Sequence, residues 1–180
     1  MKKITLNVVI LMLTLNSFGQ QIAKDKVNEQ SKAEIFSERV GSLVQKEFID
    51  IGRLKKCNIQ VAKFSDLING TKFTAIRFEL EYQSSYSSDT KIAMLDEDEI
   101  DGLMKSIKLI QEKILPIKAT NYTEVNFKSR SGFIAGCYSK KDSWTAFMKL
   151  EKYDSNSYVW FDKDDLGTLL TLLEQAKAKF

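Results

Sequence analysis

Histidine is absent from the 180 residues, and the chain has one proline, eight glycines and two cysteines. Without histidine there is no Ser-His-Asp or Cys-His pair, no imidazole zinc ligand, and none of the side chains that ordinarily titrate near neutrality. Two cysteines are too few for a four-cysteine zinc site or a disulfide-dense scaffold. One proline and few glycines argue against a linker-rich, multidomain chain. No Walker A loop and no GxGxxG pattern occurs. No apolar run reaches the ~20 residues that a membrane span needs. What is present is 43% hydrophobic and 28% charged, the composition of one globular domain or two small ones.

The most specific signal lies in the first twenty residues. Lys2 and Lys3 precede a compact apolar core at residues 8–15 (VVILMLTL), and small residues Ser17 and Gly19 follow two apart. This is the pattern of a secretory signal peptide over residues 1–20, with cleavage expected near Gly19-Gln20. The apolar core is too short for an anchor, so none is expected in the mature chain. Removing Lys2 and Lys3 lowers the formal charge from +3 to +1. A nearly neutral mature chain attracts nucleic acid or anionic lipid weakly over long range. The expected location is periplasmic or secreted. In such a compartment Cys57 and Cys137 can pair; two buried thiols are the alternative, and spacing does not decide between them.

Residues 21–37 read as a polar segment, and residues 38–180 as a single α+β domain of two repeats, about 38–116 and 117–180. Ile35, Phe36, Val40, Leu43 and Val44 fit a helical stripe, but strand is preferred from residue 41 onward, leading toward a turn-like Gly52. The repeat shows in two strand-to-helix junctions, KIAMLD at residues 91–96 and SYVWFD at residues 157–162, offset by 66. Each ends in an aspartate, Asp96 or Asp162, expected to cap the helix that follows. Ile100, Leu103, Met104, Ile107 and Ile110 form one amphipathic stripe, closed before Pro116. Leu166, Leu169, Leu170, Leu173 and Ala176 form the other.

The strands before these junctions match as well. Ile76, Phe78 and Leu80 alternate with polar residues, as do Ala146, Met148 and Leu150, at an offset of 70 if the apolar faces are kept in phase. Hairpins are expected over residues 44–64 and 125–138, the second turning at Ser131-Gly132. Each half therefore reads ββββα, two antiparallel sheets with one amphipathic helix each, related by a pseudo-twofold.

This duplicated ββββα order resembles the PC4/Whirly fold over roughly residues 40–180, a likeness of element order that carries single-stranded nucleic-acid binding as its implied function. The segments Phe36-Ser37-Glu38-Arg39-Val40-Gly41, residues 95–103, Tyr122-Thr123-Glu124 and Ser129-Arg130-Ser131-Gly132 are similar to a family of exported bacterial proteins from which no activity carries over.

No catalytic, cofactor-binding or metal-binding residue stands out, and no cofactor is expected. The acidic run over residues 96–101 lacks the Asp-x-Asp-x-Asp-Gly calcium pattern and reads as helix capping. Cations at Arg53, Lys55, Lys56, Lys128, Arg130, Lys140 and Lys141 interleave with nine aromatics: Phe127, Phe133, Tyr138, Trp144, Phe147, Tyr153, Tyr158, Trp160 and Phe161. Such a set either lines a stacking groove or divides into core rings and solvated lysines, and the near-neutral charge favours the second. The leading expectation is an exported, non-enzymatic interaction or scaffolding module with an envelope or extracellular partner. Single-stranded nucleic-acid binding is the alternative, and a carboxylate-dependent enzyme is the third reading.

Overall fold

The computed structural model describes residues 30–83 and 88–180, so the leader and its cleavage position lie outside the described residues. In chain order the elements are α1 (Lys32–Ser37), β1 (Val44–Leu54), β2 (Cys57–Asp66), β3 (Lys72–Gln83), β4 (Ser88–Asp96) and α2 (Glu97–Leu109), followed by β5 (Glu124–Lys128), β6 (Ile134–Lys140), β7 (Ser143–Lys149), β8 (Tyr158–Trp160) and α3 (Asp165–Lys177). The strands form two antiparallel sheets, β1-β2-β3-β4 and β5-β6-β7-β8. Each sheet is followed by a helix, giving two ββββα units.

Register carries the duplication down to single residues. Phe78 faces Ala93 across β3 and β4, and Met148 faces Val159 across β7 and β8. These positions differ by 70 and 66 residues, the offsets that the face pattern requires. Val61 faces Ile76 in the first unit and Cys137 faces Ala146 in the second, which sets the β2/β6 offset at 76. The drop from 76 to 70 makes the β2–β3 hairpin six residues longer than its twin. It has one more strand pair and a loop over residues 66–71, where the twin has the two-residue turn Lys141-Asp142. Lys141 and Asp142 have φ of 49° and 65°, as a tight primed hairpin turn requires.

Both units share one core. Strand alternation buries Ile59, Val61, Ile76, Phe78, Leu80 and Leu95 in the first unit, and Ala135, Cys137, Ala146, Met148 and Val159 in the second. Phe78 and Phe133 stack between the units with ring centroids 4.8 Å apart. Helix α3 lies against β1 and β2 of the other unit, and α2 reaches β5 and β6 as well as its own β3 and β4. The amphipathic stripes thus cover the twin's sheet as well as filling their own side. Helix α2 runs into a wide turn over Ile110–Ile114, where the Leu115 N–H donates to the Ile110 carbonyl at 2.9 Å, and stops before Pro116.

Two sequence expectations are corrected here. Gly52 is not a turn residue. It follows a bulge inside β1, between Asp50 and Gly52, and a Cβ there would lie 2.6 Å from Leu172 Cδ2 of α3. Glycine makes room for the end of the Leu172 side chain, which a Cβ would displace, rather than for a reversal. The polar segment 21–37 is also not wholly outside the fold. Lys32–Ser37 forms α1, whose Ala33 and Phe36 pack on Ala62, Phe64 and Ala75 across the outer face of the first sheet. A six-residue helix has little stability alone, so this packing and its capping must hold it.

Candidate functional site

Asp96 starts α2 as expected, and it does more. Its backbone N–H donates to Glu99 Oε2 at 3.1 Å, the return arm of a capping box. Its carboxylate turns toward α1: Oδ2 accepts from the Lys32 N–H at 2.8 Å and Oδ1 from the Ala33 N–H at 3.0 Å. Ser31 and Glu34 exchange a second capping box, so the first-turn amides of α1 are all engaged. The Arg130 guanidinium from the β5–β6 turn also pairs with Asp96 and reaches Asp98 at 3.0 Å, while the Arg130 backbone N–H donates to Glu99 Oε1 at 2.6 Å. Asp96 is 1% exposed. One buried carboxylate thus joins α1, α2 and the second unit. The Lys32 ammonium beside Asp98 holds that carboxyl below its usual value against the opposing effect of burial, and Arg130 adds to the lowering. Asp96, Asp98 and Glu99 come close enough to offer a cation three ligands. In this fold Arg130, Lys32 and backbone amides take up their oxygens.

Asp162 does not play the corresponding part. The residue flanking α3 is Asp164, and the helix starts at Asp165. The Asp162 side chain is 84% exposed and pairs with Lys55 from the β1–β2 turn. The local echo is kept in the backbone: the Asp162 N–H donates to Asp165 Oδ2 at 2.7 Å, three residues on, as Asp96 does to Glu99. With no short helix docking above it, the carboxylate swings outward to the lysine.

Cys57 and Cys137 are free, buried thiols, so the pairing is not formed. They are not repeat-equivalents either, since Cys137 stands in the place of Val61. Burial pushes the Cys57 thiol up to about 12 and the Cys137 thiol up to about 11. Both stay protonated at neutral pH and behave as small core residues.

Eight of the nine aromatics fall into two groups, and the ninth, Tyr153, is 83% exposed in the loop after β7. Phe133 and Phe161 are core, and Phe127 and Trp144 pack against it. The Trp144 indole N–H donates to the Ile117 carbonyl at 2.7 Å. Tyr138, Phe147, Tyr158 and Trp160 instead lie on the outer face of the second sheet, with Tyr122 at its rim. Their rings are mutually packed: Tyr158 and Trp160 stack at 4.8 Å with planes 1° apart, and Phe147 touches both at 5.4 and 5.7 Å. Tyr138 meets Phe147 and Trp160 at 6.2 Å and Tyr122 at 6.3 Å. Lys149 Nζ sits 4.9 Å from the Tyr158 ring centroid. Trp160 is 51% exposed and Tyr122 68%. Strand parity puts Lys128, Lys140 and Lys149 on this face with one acid, Glu124, which accepts the Tyr122 hydroxyl proton in a hydrogen bond and raises that phenol's pKa. Among the described residues strand β8 bonds to β7 only, so Tyr158 and Trp160 also mark an edge of the sheet.

Tyr122 was noted only in the segment Tyr122-Thr123-Glu124 and stood outside the nine aromatics, because it precedes β5, outside any alternating run. Its spacing of two from Glu124 was the available signal. No protein-family model, characterised protein or solved structure matches the chain. No described helix is long and apolar enough to cross a membrane.

Proposed function

We propose that the protein is an exported, non-enzymatic interaction module that grips a protein partner with the aromatic outer face of its second sheet. The observation that carries this reading is the cluster of Tyr122, Tyr138, Phe147, Tyr158 and Trp160, five packed rings on a sheet face that no described element covers. Tyrosine and tryptophan anchors dominate binding energy at protein interfaces, because they bury large rigid areas and keep a polar tip. The adjoining edge of β8 allows an extended segment of the partner to add as a strand, with its side chains set against the rings. The signal-peptide pattern of residues 1–20 supports a location in the periplasm or outside the cell.

Single-stranded nucleic-acid binding is the second reading, favoured by Lys128, Lys140 and Lys149 on the same face and by the likeness to the PC4/Whirly order. Ring geometry counts against it. Successive bases need successive open ring faces, whereas Tyr158 is sandwiched between Trp160 and Lys149.

The test is capture from an envelope fraction with wild type and Trp160→Ala, in parallel with fluorescent oligonucleotide binding at low salt. The proposal expects a protein captured by wild type and lost with Trp160→Ala, with no oligonucleotide binding. Oligonucleotide binding with a steep salt dependence, abolished by Trp160→Ala, would transfer the face to the second reading. Turnover in a hydrolase screen that one carboxylate substitution abolishes would end the non-enzymatic reading.

A further inference from the structure

The longer β2–β3 hairpin ends in aliphatic side chains that no described residue covers. Leu67 and Ile68 at its tip are 57% and 65% exposed. The Leu67 N–H donates to the Leu43 carbonyl at 2.8 Å, which brings in the segment carrying Leu43 and Val40, themselves 60% and 101% exposed. Four large aliphatics thus share one end of the molecule, where isolated ones would be unremarkable.

The backbone amides beneath them are paired. Asp66 N–H donates to the Thr71 carbonyl and Gly70 N–H to the Asp66 carbonyl, both at 2.8 Å. The Asp66 carboxylate accepts from the N–H groups of Ile68 and Asn69 at 2.9 and 3.1 Å, and from the Asn69 side-chain amide at 2.9 Å. Every amide from residue 66 to residue 70 therefore has a partner inside the protein. A loop meant for water has no need of this, whereas one that leaves water does, because an unsatisfied amide in hydrocarbon costs several kcal/mol. Behind the tip lie the exposed cations Lys46 on β1, Lys72 at the start of β3, and Arg39, whose guanidinium also approaches Asp66 at 4.0 Å. Exposed acids at this end include Glu38 beside Arg39, Glu47, which stands opposite Lys63 across β1 and β2, and Glu97, which follows Asp96 opposite Ala75 of β3. Asp66 is 1% exposed and already engaged.

We propose that this tip is a membrane-docking loop, which seats Leu43, Leu67 and Ile68 in the interface of an anionic bilayer with Arg39, Lys46 and Lys72 at headgroup depth. Protruding aliphatics, paired loop amides and a basic collar together favour shallow insertion. The second unit has the polar turn Lys141-Asp142 in the corresponding place, so the extra six residues are specific to this end.

The test places a reporter at the tip, because the apolar run of residues 8–15 can bring the full chain to vesicles by itself. Full-length Ile68→Trp is mixed with phosphatidylcholine vesicles, with and without phosphatidylglycerol, carrying brominated acyl chains. The expected result is blue-shifted, quenched emission beyond that of the chain holding only Trp144 and Trp160, and only with the anionic lipid. Adding Leu43→Ser and Leu67→Ser to Ile68→Trp removes the quenching; adding Lys46→Glu and Lys72→Glu weakens apparent partitioning about tenfold or more. Each of these residues is exposed, so the variants should keep the wild-type circular dichroism. Vesicle capture with the indole at position 68 unquenched overturns the proposal, as does quenching that is equal without anionic lipid.

Discussion

The outer faces of the two sheets start from the same strand frame and reach opposite ends. On the first sheet, Ala62, Phe64 and Ala75 lie beneath α1, and Phe36 fills the space above them. On the second sheet the positions equivalent to Ala62 and Ala75 are Tyr138 and Thr145, and no helix follows from the chain before β5 to cover them. Small residues make room for a helix; large rings take up the room themselves. The aspartates follow the same division. Asp96 is buried because α1 and Arg130 converge on it, and Asp162 is exposed because nothing docks above it. A duplicated fold has used one face to close itself, and no described element covers the other, the face proposed to bind a partner.

The comparison can be broken at its base by Phe133→Ala. Phe133 is fully buried and stacks on Phe78 of the other unit, so the expected loss is about 3–5 kcal/mol in a denaturant titration. One cooperative transition is expected for the whole domain; two separate transitions would show that the units do not share a core. Next in size is Asp96→Ala, which leaves Arg130 with Asp98 and Glu99 only and two α1 amides without their acceptor. About 2–4 kcal/mol should be lost, less than for a fully enclosed pair because Arg130 is a third exposed. Asp162→Ala, its repeat counterpart, should stay within about 0.5 kcal/mol of wild type. Equal effects at the two sites would contradict the asymmetry.

Phe36→Ala should cost about 2 kcal/mol, limited by the ability of α1 to detach while the sheets remain folded. Hydrogen exchange should then quicken at the first-turn amides of α1 and not in β5–β8. Trp160→Ala should cost about 1 kcal/mol or less, because the ring is half exposed, while removing partner binding. The smallest effect is that of pH on the α1 attachment. Asp98 is held below its ordinary 3.8, so its contribution is complete above that value and is lost as pH falls below it. Glu34 works the other way: burial raises it above 4.5, so its ionisation opposes docking as pH rises through the raised value. Exchange at Ala33 and Glu34 between pH 3 and pH 7 reads the balance, and Lys32→Ala should flatten the acid limb.

Much of the frame was legible because it rests on periodicity. The alternation Ile76-Phe78-Leu80 against Ala146-Met148-Leu150 fixed the in-phase offset of 70, and the observed pairing agrees with it residue by residue. Features that depend on distant partners were not legible. The second role of Asp96 comes from residues 32, 33 and 130, which no local pattern connects to it. Gly52 looked like a turn because only the approach of Leu172 reveals why it lacks a side chain. Helix α1 was ambiguous because six residues show less than two turns of stripe. For the candidate site, the composition supplied the rings but not their division. Tyr158 and Phe161 are three residues apart, and the pleat sends one outward and the other inward.

The division of labour between the two faces is tested most directly by photo-crosslinking in an envelope fraction. A photoreactive residue is placed at Tyr138, in the middle of the ring cluster, or at Gln60, on the outer face of the first sheet. The account predicts a discrete protein adduct from position 138 and none from position 60. Adducts from position 60 alone, or the same adduct from both, would contradict it.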